Sequence, residues 1–211
     1  QYKGKIDTPA EILLGSGYSL LRREFRTAAV ARAPRDGRPL RVLVTFGGSD
    51  TENISQHILE RLGTETRQHL HVIVVAGAAN RNVVRLRAAA ARAPFHRELH
   101  ADVENLSPLM AWADVAVSAA GSTVWELAAM HLPALIGAAE GNQLAVLRGL
   151  PGIPFFRAGT TADLLAWDLV GEIESLLARP ANTDWQPDNV DGATRVAASL
   201  RERIPTVATA S

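Results

Sequence analysis

The feature that most constrains the fold is a short apolar segment followed by a turn of small residues and then a helical segment. From Asp114 to Ala134 the sequence reads DVAVSAAGSTVWELAAMHLPA. The run DVAVSA is typical of a buried parallel strand. The spacing from Thr123 to Met130 predicts a helix with Glu126 one turn in. Unpaired N–H groups and the helix dipole at the start of such a helix favour a phosphate.

This segment has two interpretations, and its residues alone leave both open. In the first, a nucleotide lies over the turn and the Glu126 carboxylate reaches its ribose diol. We then expect Glu126 to be solvated in the free protein, because a ribose-facing group is open without a ligand. In the second, the segment is an ordinary crossover between strands, and Ser122 caps the helix.

A second unit of the same kind lies nearer the N-terminus. RVLVTF, at 41–46, predicts a strand that runs into the glycine-rich turn GGSD, and helical spacing follows at 51–62. Glycines let a diphosphate approach the backbone, although GGSD matches no standard phosphate-binding loop. The alternative is a tight turn in which Asp50 or Thr51 caps the helix.

The rest of the chain continues to alternate between predicted strands and predicted helices. The further predicted strands are 71–76, 95–100, 133–136 and 154–155, and the further predicted helices are 82–92, 102–113, 141–150, 161–179 and 188–204. Such alternation predicts an α/β fold, a Rossmann-like doubly wound parallel sheet. Ligands of these sheets bind at the carboxyl ends of the strands, where both small-residue turns lie.

Two regions are predicted along the chain. Residues 1–39 are interpreted as a lead-in and interdomain linker segment, because they hold a GSG turn and the polar loop APRDGRP at 33–39. An ordinary surface loop is the alternative for 33–39. Residues 40–211 are predicted to form the Rossmann-like domain.

Composition excludes several classes of protein. The 211 residues carry 22 basic and 22 acidic side chains, so no basic excess favours nucleic acid. The absence of cysteine excludes disulfides and thiolate chemistry. No apolar run is long enough to cross a membrane and no signal peptide is visible, so we expect a cytoplasmic protein without an integral membrane segment. The first residue is Gln1 and not methionine, so one interpretation is that truncation or processing has removed a preceding segment.

Neither the histidines nor known catalytic motifs give a further functional site. His69 and His71 have strand spacing, but no carboxylate cluster or further histidine lies close in sequence, so we predict no metal site. We also predict no cofactor. The sequence contains no GxSxG and no HExxH motif, and the catalytic residues stay unknown.

Several segments resemble a known family. RVLVTFGGSD, DVENLSPLMAWADVAVSAAGSTVWELAAMHLPAL and EGNQ resemble the C-terminal half of the PseG-type UDP-sugar hydrolases and their spore-coat-polysaccharide relatives. These are similar to MurG, the GlcNAc transferase of peptidoglycan synthesis. LLGSGYSLLRREF and DGATRVAASL extend the resemblance over nearly the whole chain. It implies that the chain is the C-terminal nucleotide-binding domain of a GT-B fold.

The resemblance also implies residue roles. The backbone of Val103 would hold the uracil, Glu126 would accept hydrogen bonds from the ribose, and Asn142 and Gln143 would face the sugar. The nucleotide-binding residues in the two turns, which would meet the phosphates, are Gly47, Gly48, Ser49, Gly121, Ser122 and Thr123.

Three departures from the family pattern affect these roles. Ala120 stands where the family's turn has one of two adjacent glycines, and Gly141 separates Glu140 from Asn142 in a motif that is usually ENQ. The family's N-terminal half carries a GxGHxxR loop whose histidine would activate water, and nothing in this chain matches it. An N-terminal domain or a partner subunit is therefore expected to complete the cleft.

The sequence thus leads to three functional hypotheses. The first is a PseG-like UDP-sugar hydrolase of nucleotide-sugar or surface-polysaccharide biosynthesis, of which this chain binds UDP or the UDP-sugar. The second is the donor-binding half of a MurG-like or split glycosyltransferase. The third is a sugar-nucleotide-binding module without chemistry.

Overall fold

The computed structural model describes residues 11–27, 37–65, 69–139, 141–150, 152–179 and 191–203. Its strands are β1 (Leu40–Thr45), β2 (Leu70–Ala76), β3 (His96–Ala101), β4 (Val115–Ala119), β5 (Ala134–Ala138) and β6 (Phe156–Thr160). They form one sheet in the order β3-β2-β1-β4-β5-β6. All neighbouring pairs are parallel.

Helices lie before, between and after the strands. They are α1 (Arg23–Thr27), α2 (Ile54–Glu65), α3 (Val83–Arg92), α4 (Ser107–Trp112), α5 (Thr123–Ala129), α6 (Asn142–Leu147), α7 (Thr161–Ala166), α8 (Leu169–Leu177) and α9 (Gly192–Arg203). A short 3-10 helix at Ser16–Tyr18 precedes them. In the part of the chain that the structure describes, none of the helices is both long and apolar enough to span a bilayer.

The four central strands, β1, β2, β4 and β5, are buried on both faces. Alternate residues of β1 belong to different apolar clusters, because successive side chains of a strand point to opposite sides. Val42 and Val44 pack with α2, α3 and α8, whereas Leu43 packs with α4 and α5. This arrangement confirms the predicted doubly wound parallel sheet.

The strand order reverses between β1 and β4. From β1 the chain moves outward through β2 to β3, and it then returns to place β4 on the other side of β1. Thr45 pairs with Ser118 in this register. The turns that follow β1 and β4 therefore leave the same edge of the sheet from adjacent positions.

Two helices begin later than the sequence predicted. Helix α2 begins at Ile54 rather than Thr51, because Asp50 and Asn53 have positive φ angles of 39° and 57° and form a turn. Helix α4 begins at Ser107 rather than at Asp102, whose φ angle is 51°. Both shifts coincide with residues in the left-handed region, which apolar periodicity does not reveal.

The C-terminal part contains two corrections. The last strand is β6 at 156–160, not 154–155. The single helix predicted over 161–179 is two helices, because Trp167 is extended and the Asp168 carboxylate accepts a hydrogen bond from Gly171 N at 3.1 Å, which caps a new helix. Residues 188–190 and 204 of the predicted final helix lie outside the described residues.

The described part of the lead-in packs against the domain. Phe25 is 1% exposed and lies in the apolar cluster beneath α5. Gly192 at the start of α9 meets the lead-in so closely that a Cβ there would lie 2.1 Å from the Ser19 carbonyl oxygen. Of the predicted loop at 33–39, residues 33–36 lie outside the described residues.

Gly77, just after β2, allows the turn after β1 to approach. A Cβ at Gly77 would lie 2.4 Å from Gly48 Cα and 2.6 Å from the carbonyl oxygens of Gly47 and Gly48. Backbone atoms cannot rotate away as side chains do, so Gly77→Ala should lower the free energy of unfolding by about 1–3 kcal/mol, a typical effect of overpacking. Denaturant titration measures the change.

Gly48→Ala is the matched control for Gly77→Ala. A Cβ at Gly48 meets nothing within 4 Å, so we expect this variant to keep nearly the full stability. Equal free energies of unfolding for Gly77→Ala and Gly48→Ala would show that the turn after β1 does not pack tightly against Gly77.

Candidate functional site

The candidate site lies at the carboxyl edge of the sheet, where the strand order reverses. Gly47, Gly48 and Ser49 follow β1, and the turn Gly121–Thr123 follows β4. Val103 follows β3 at the same edge. The topology thus brings the predicted phosphate, ribose and base contacts to one side of the molecule, as expected for an open α/β sheet.

The first turn is exposed, but the helix after it is already capped. Asp50 is only 7% exposed, and its carboxylate accepts hydrogen bonds from Ile54 N at 2.8 Å and Ser55 N at 3.1 Å. These bonds occupy the start of α2, so Asp50 and not Thr51 is the cap. Any phosphate contact here must come from the exposed turn at 47–49, where Gly47 has a φ angle of 75°.

The second turn is not capped. Ser122 occupies the N-cap position of α5, but its side chain makes no capping hydrogen bond, so the alternative that Ser122 caps the helix is wrong. The backbone N–H groups of Gly121, Ser122 and Thr123 make no hydrogen bond with any described residue. Three backbone donors therefore remain for a ligand at this turn.

Ala120 fits where the family pattern has a glycine. Its N–H donates to the Gly137 carbonyl oxygen at 2.9 Å, which continues the pairing of β4 with β5. Its methyl group is fully buried in the core. The departure therefore adds core packing and leaves the donors of Gly121 and Ser122 unchanged.

Glu126 is more buried than the sequence suggested. Its side chain is 15% exposed and lies 3.6 Å from the Arg22 guanidinium, measured from Oε1 to Nη2. Burial raises the pKa of the Glu126 carboxyl, and the nearby Arg22 charge partly offsets that rise. The expectation of a solvated carboxylate was wrong, because α5 and the lead-in enclose it together.

Arg22 is a site residue that the sequence analysis missed. Its Nη1 donates to the Glu104 carbonyl oxygen, next to Val103, and its guanidinium lies 5.3 Å from the centre of the Phe25 ring. Arg22 therefore links the loop after β3 with Glu126 on α5. The partner carbonyl is 82 positions away in the chain, so no local pattern could have identified the contact.

A cavity lies beside Arg22 and Glu126. Its volume is about 570 Å³, within the usual range for small-molecule sites. The lining residues come from the lead-in, α5 and α6: Ser19, Leu20, Leu21, Arg22, Ser122, Trp125, Glu126 and Val146. The lead-in thus forms one wall of the candidate site.

Val103 offers its backbone to this region. It follows Asp102, whose N–H donates to the Ala76 carbonyl oxygen at 3.0 Å. The N–H and carbonyl of Val103 make no hydrogen bond with any described residue, while its side chain packs on the apolar cluster. An unpaired donor and acceptor on one residue can form hydrogen bonds with the polar edge of a nucleobase, which is the role expected for Val103.

The predicted sugar-facing residues lie at the start of α6. Gly141 precedes them with a φ angle of 74°, and Asn142 is exposed. The Gln143 Oε1 atom accepts a hydrogen bond from Ala139 N at 3.0 Å, so one end of the amide is engaged in the loop. Glu140 lies outside the described residues.

Part of the chain is similar to a known protein family. Residues 41–141 match the model of the glycosyltransferase family 28 C-terminal domain. The matched span is just under half of the chain and contains every residue predicted here to contact the nucleotide. No curated protein sequence matches the chain significantly.

Solved structures share the fold. MurG of Acinetobacter baumannii superposes with a TM-score of 0.64 at 17% identity, over 94% of this chain and 58% of that one. The glycosyltransferase of kitacinnamycin gives 0.55 at 18%, over 87% and 43%. A putative UDP-N-acetylglucosamine 2-epimerase from Listeria monocytogenes gives 0.51 at 14%, over 85% and 51%.

These likenesses establish the architecture. The chain has the α/β Rossmann-like fold of the C-terminal domains of GT-B glycosyltransferases, as the sequence predicted. It spans less than two thirds of the length of each of these three structures.

The buried Glu126 gives a pH-dependent prediction. Because its pKa is raised in the folded state, folding favours the neutral carboxyl. That stabilisation is present below the ordinary value of 4.5 and is lost as the pH rises through the folded pKa. The permanently neutral Glu126→Gln should therefore gain thermal stability relative to the parent protein as the pH rises from 4.5 to neutral.

Thermal midpoints across this pH range test the sign. Glu202→Gln, at an exposed position on α9, controls for the loss of a negative charge in general. If the difference between Glu126→Gln and the parent protein is the same at every pH, Glu126 does not titrate in a buried environment.

Proposed function

We propose that this chain binds UDP or a UDP-sugar as the C-terminal, donor-binding domain of a GT-B-type enzyme. The observation that carries the proposal is the reversal of strand order between β1 and β4. Two small-residue turns and Glu126 lie at that edge, where open α/β sheets bind their ligands. The match of residues 41–141 to a glycosyltransferase C-terminal domain supports it.

The contacts suggest how the nucleotide would lie. The unpaired backbone donors at 121–123 would bind the phosphates, with the exposed turn at 47–49 nearby. Glu126 would accept from the ribose hydroxyls, and the Val103 backbone would contact the uracil. Arg22 joins the last two positions through its contacts with Glu104 and Glu126, which supports placing base and ribose side by side.

The sugar would then extend towards α6. Asn142 is exposed at the start of that helix and is the better candidate for a sugar contact. Gln143 holds the loop through its contact with Ala139 N, so its role would be to position the loop as well as to meet the sugar.

The reaction requires a base that this site does not supply. Cleavage of the sugar–diphosphate bond needs an activated water or acceptor hydroxyl. The Asp50 carboxylate caps α2 and the Glu126 carboxylate pairs with Arg22. We therefore propose that an N-terminal domain or a partner subunit provides the base, with residues 1–39 as the lead-in and linker to it.

Two reactions fit this arrangement. The hydrolase of the PseG type is supported by the resemblance of the two turns and of the lead-in segment LLGSGYSLLRREF. The glycosyltransferase alternative is favoured by the matched family, which is named for glycosyl transfer. Both use the same UDP site and differ in what the second domain delivers, water activation or an acceptor.

Calorimetry with UDP tests the site. UDP should bind the isolated chain. GDP-sugars should bind more weakly because the proposed Val103 contact selects the base, and CMP should bind more weakly because it also lacks the second phosphate. Glu126→Ala should weaken UDP binding by about 1.5–3 kcal/mol, the range for hydrogen bonds to a charged group. This corresponds to roughly 10- to 150-fold in Kd.

Glu202→Ala on α9 provides the control, since it removes an exposed carboxylate outside the predicted nucleotide contacts. Circular dichroism verifies that both variants are folded. If Glu126→Ala binds UDP as tightly as Glu202→Ala does, Glu126 is not the ribose acceptor. If UDP does not bind the parent chain at millimolar concentration, the proposed function fails.

The isolated chain should also lack turnover. Without a positioned base and an in-line nucleophile, several orders of magnitude of rate are missing. We expect release of UDP from UDP-sugars below about one per second, near the low end of enzyme rates, in a coupled assay for UDP. Faster release would place the catalytic base within these residues.

A further inference from the structure

A separate group of histidines surrounds one glutamate at the edge of the sheet. His96, Glu98 and His100 alternate along the edge strand β3, so their side chains point to the same face. His71 on β2 is paired with His96 in the parallel register and shares that face. His71 and His96 lie near the amino ends of their strands, whereas the turns of the proposed nucleotide site follow the carboxyl ends.

The polar atoms of this group converge. His71 Nε2 lies 2.9 Å and His96 Nε2 lies 3.8 Å from the same oxygen, Oε1 of Glu98. The two imidazole rings meet edge to face with centroids 4.1 Å apart. Both Nε2 atoms therefore lie within 3.8 Å of one carboxylate oxygen.

These separations match the needs of a small metal ion. The candidate ligand atoms of His71, His96 and Glu98 all lie within 4.8 Å of one another. A tetrahedral ion with bonds of about 2.0–2.1 Å places its ligand atoms about 3.3 Å apart. The two observed nitrogen-to-oxygen distances, 2.9 and 3.8 Å, lie on either side of that value.

A further histidine and access to solvent add to the group formed by His71, His96 and Glu98. His100 Nε2 lies 2.9 Å from the second oxygen, Oε2, of Glu98, and this contact orients the carboxylate so that Oε1 faces the other two residues. Contacts of this kind fix the ligands of metal sites. The His96 side chain is 67% exposed, so water can reach a fourth coordination position.

We propose that His71, His96 and Glu98 bind a divalent transition metal of the zinc class, with His100 as a positioning residue. Two imidazoles and one carboxylate are ligands that such ions prefer. The bound metal would link the edge strand β3 to β2. Its effect is on the stability of this edge, and the proposal does not depend on the proposed UDP site.

The test uses the untagged chain, freed of metal with a chelator and then titrated with zinc chloride in a calorimeter. We expect one equivalent of zinc to bind. His96→Ala should weaken zinc binding at least tenfold, because a ligand is lost at a position exposed enough for the variant to fold. His57→Ala, which removes an exposed histidine from α2, should bind zinc like the parent protein.

A second readout comes from Trp112, whose ring centre lies 4.8 Å from that of His71. Nickel, a fluorescence quencher, should reduce tryptophan emission in the parent protein and in His57→Ala, and much less in His96→Ala. UDP affinity, measured without zinc, should be the same for His96→Ala and for the parent protein. The proposal is overturned if zinc gives no heat at millimolar concentration, or if His96→Ala and His57→Ala bind it equally well.

Discussion

The pairing of β1 with β4 is the constraint on which the rest of the structure depends. Asp114 fixes the start of this pairing. Its carboxylate accepts from Arg38 Nη1 at 2.7 Å and Nη2 at 2.6 Å, and from Arg41 N at 2.9 Å, while its own N–H donates to the Arg41 carbonyl oxygen. Such bidentate, charge-assisted contacts define geometry closely. A shift in register would break all of them and would separate the two turns at the other end of the strands.

The carboxyl edge is arranged differently at its two turns. At the first, Asp50 satisfies the start of α2 and Gly77 lets the turn approach, so this side is held by internal contacts. At the second, the backbone donors before α5 have no partner among the described residues. Glu126 lies beside them in a partly buried position where it keeps its charge only at a cost. The open donors and the partly desolvated carboxylate are the observations behind the nucleotide site that we propose.

The buried strands and the turns after β1 and β4 could be predicted from the sequence, because their signals are local. Runs such as HVIVVA and DVAVSA are apolar because both faces of their strands are buried, and the turns after β1 and β4 show their small residues directly. The break at Trp167 and Asp168 gave no such signal, because the i, i+4 apolar spacing of Leu165 and Leu169 continues across it. The side-chain cap of Asp168 decides the break there.

The features that could not be predicted depend on contacts between distant segments. Arg22 meets Glu104 and Glu126 only because the lead-in folds back over α5. In the sequence, the nearest histidine to His71 is His69. In the sheet, His71 lies beside His96 on the next strand. The burial of Glu126 likewise requires the lead-in wall. Periodicity reports which face of an element is buried, but it carries no information on which other segment covers that face.

A crystal structure of the chain with UDP would test the central claim most directly. The account predicts the diphosphate within hydrogen-bonding distance of the backbone N–H groups at 121–123, the ribose hydroxyls on Glu126 and the uracil at the Val103 backbone. UDP bound elsewhere, or bound at this edge with its ribose turned away from Glu126, would contradict it.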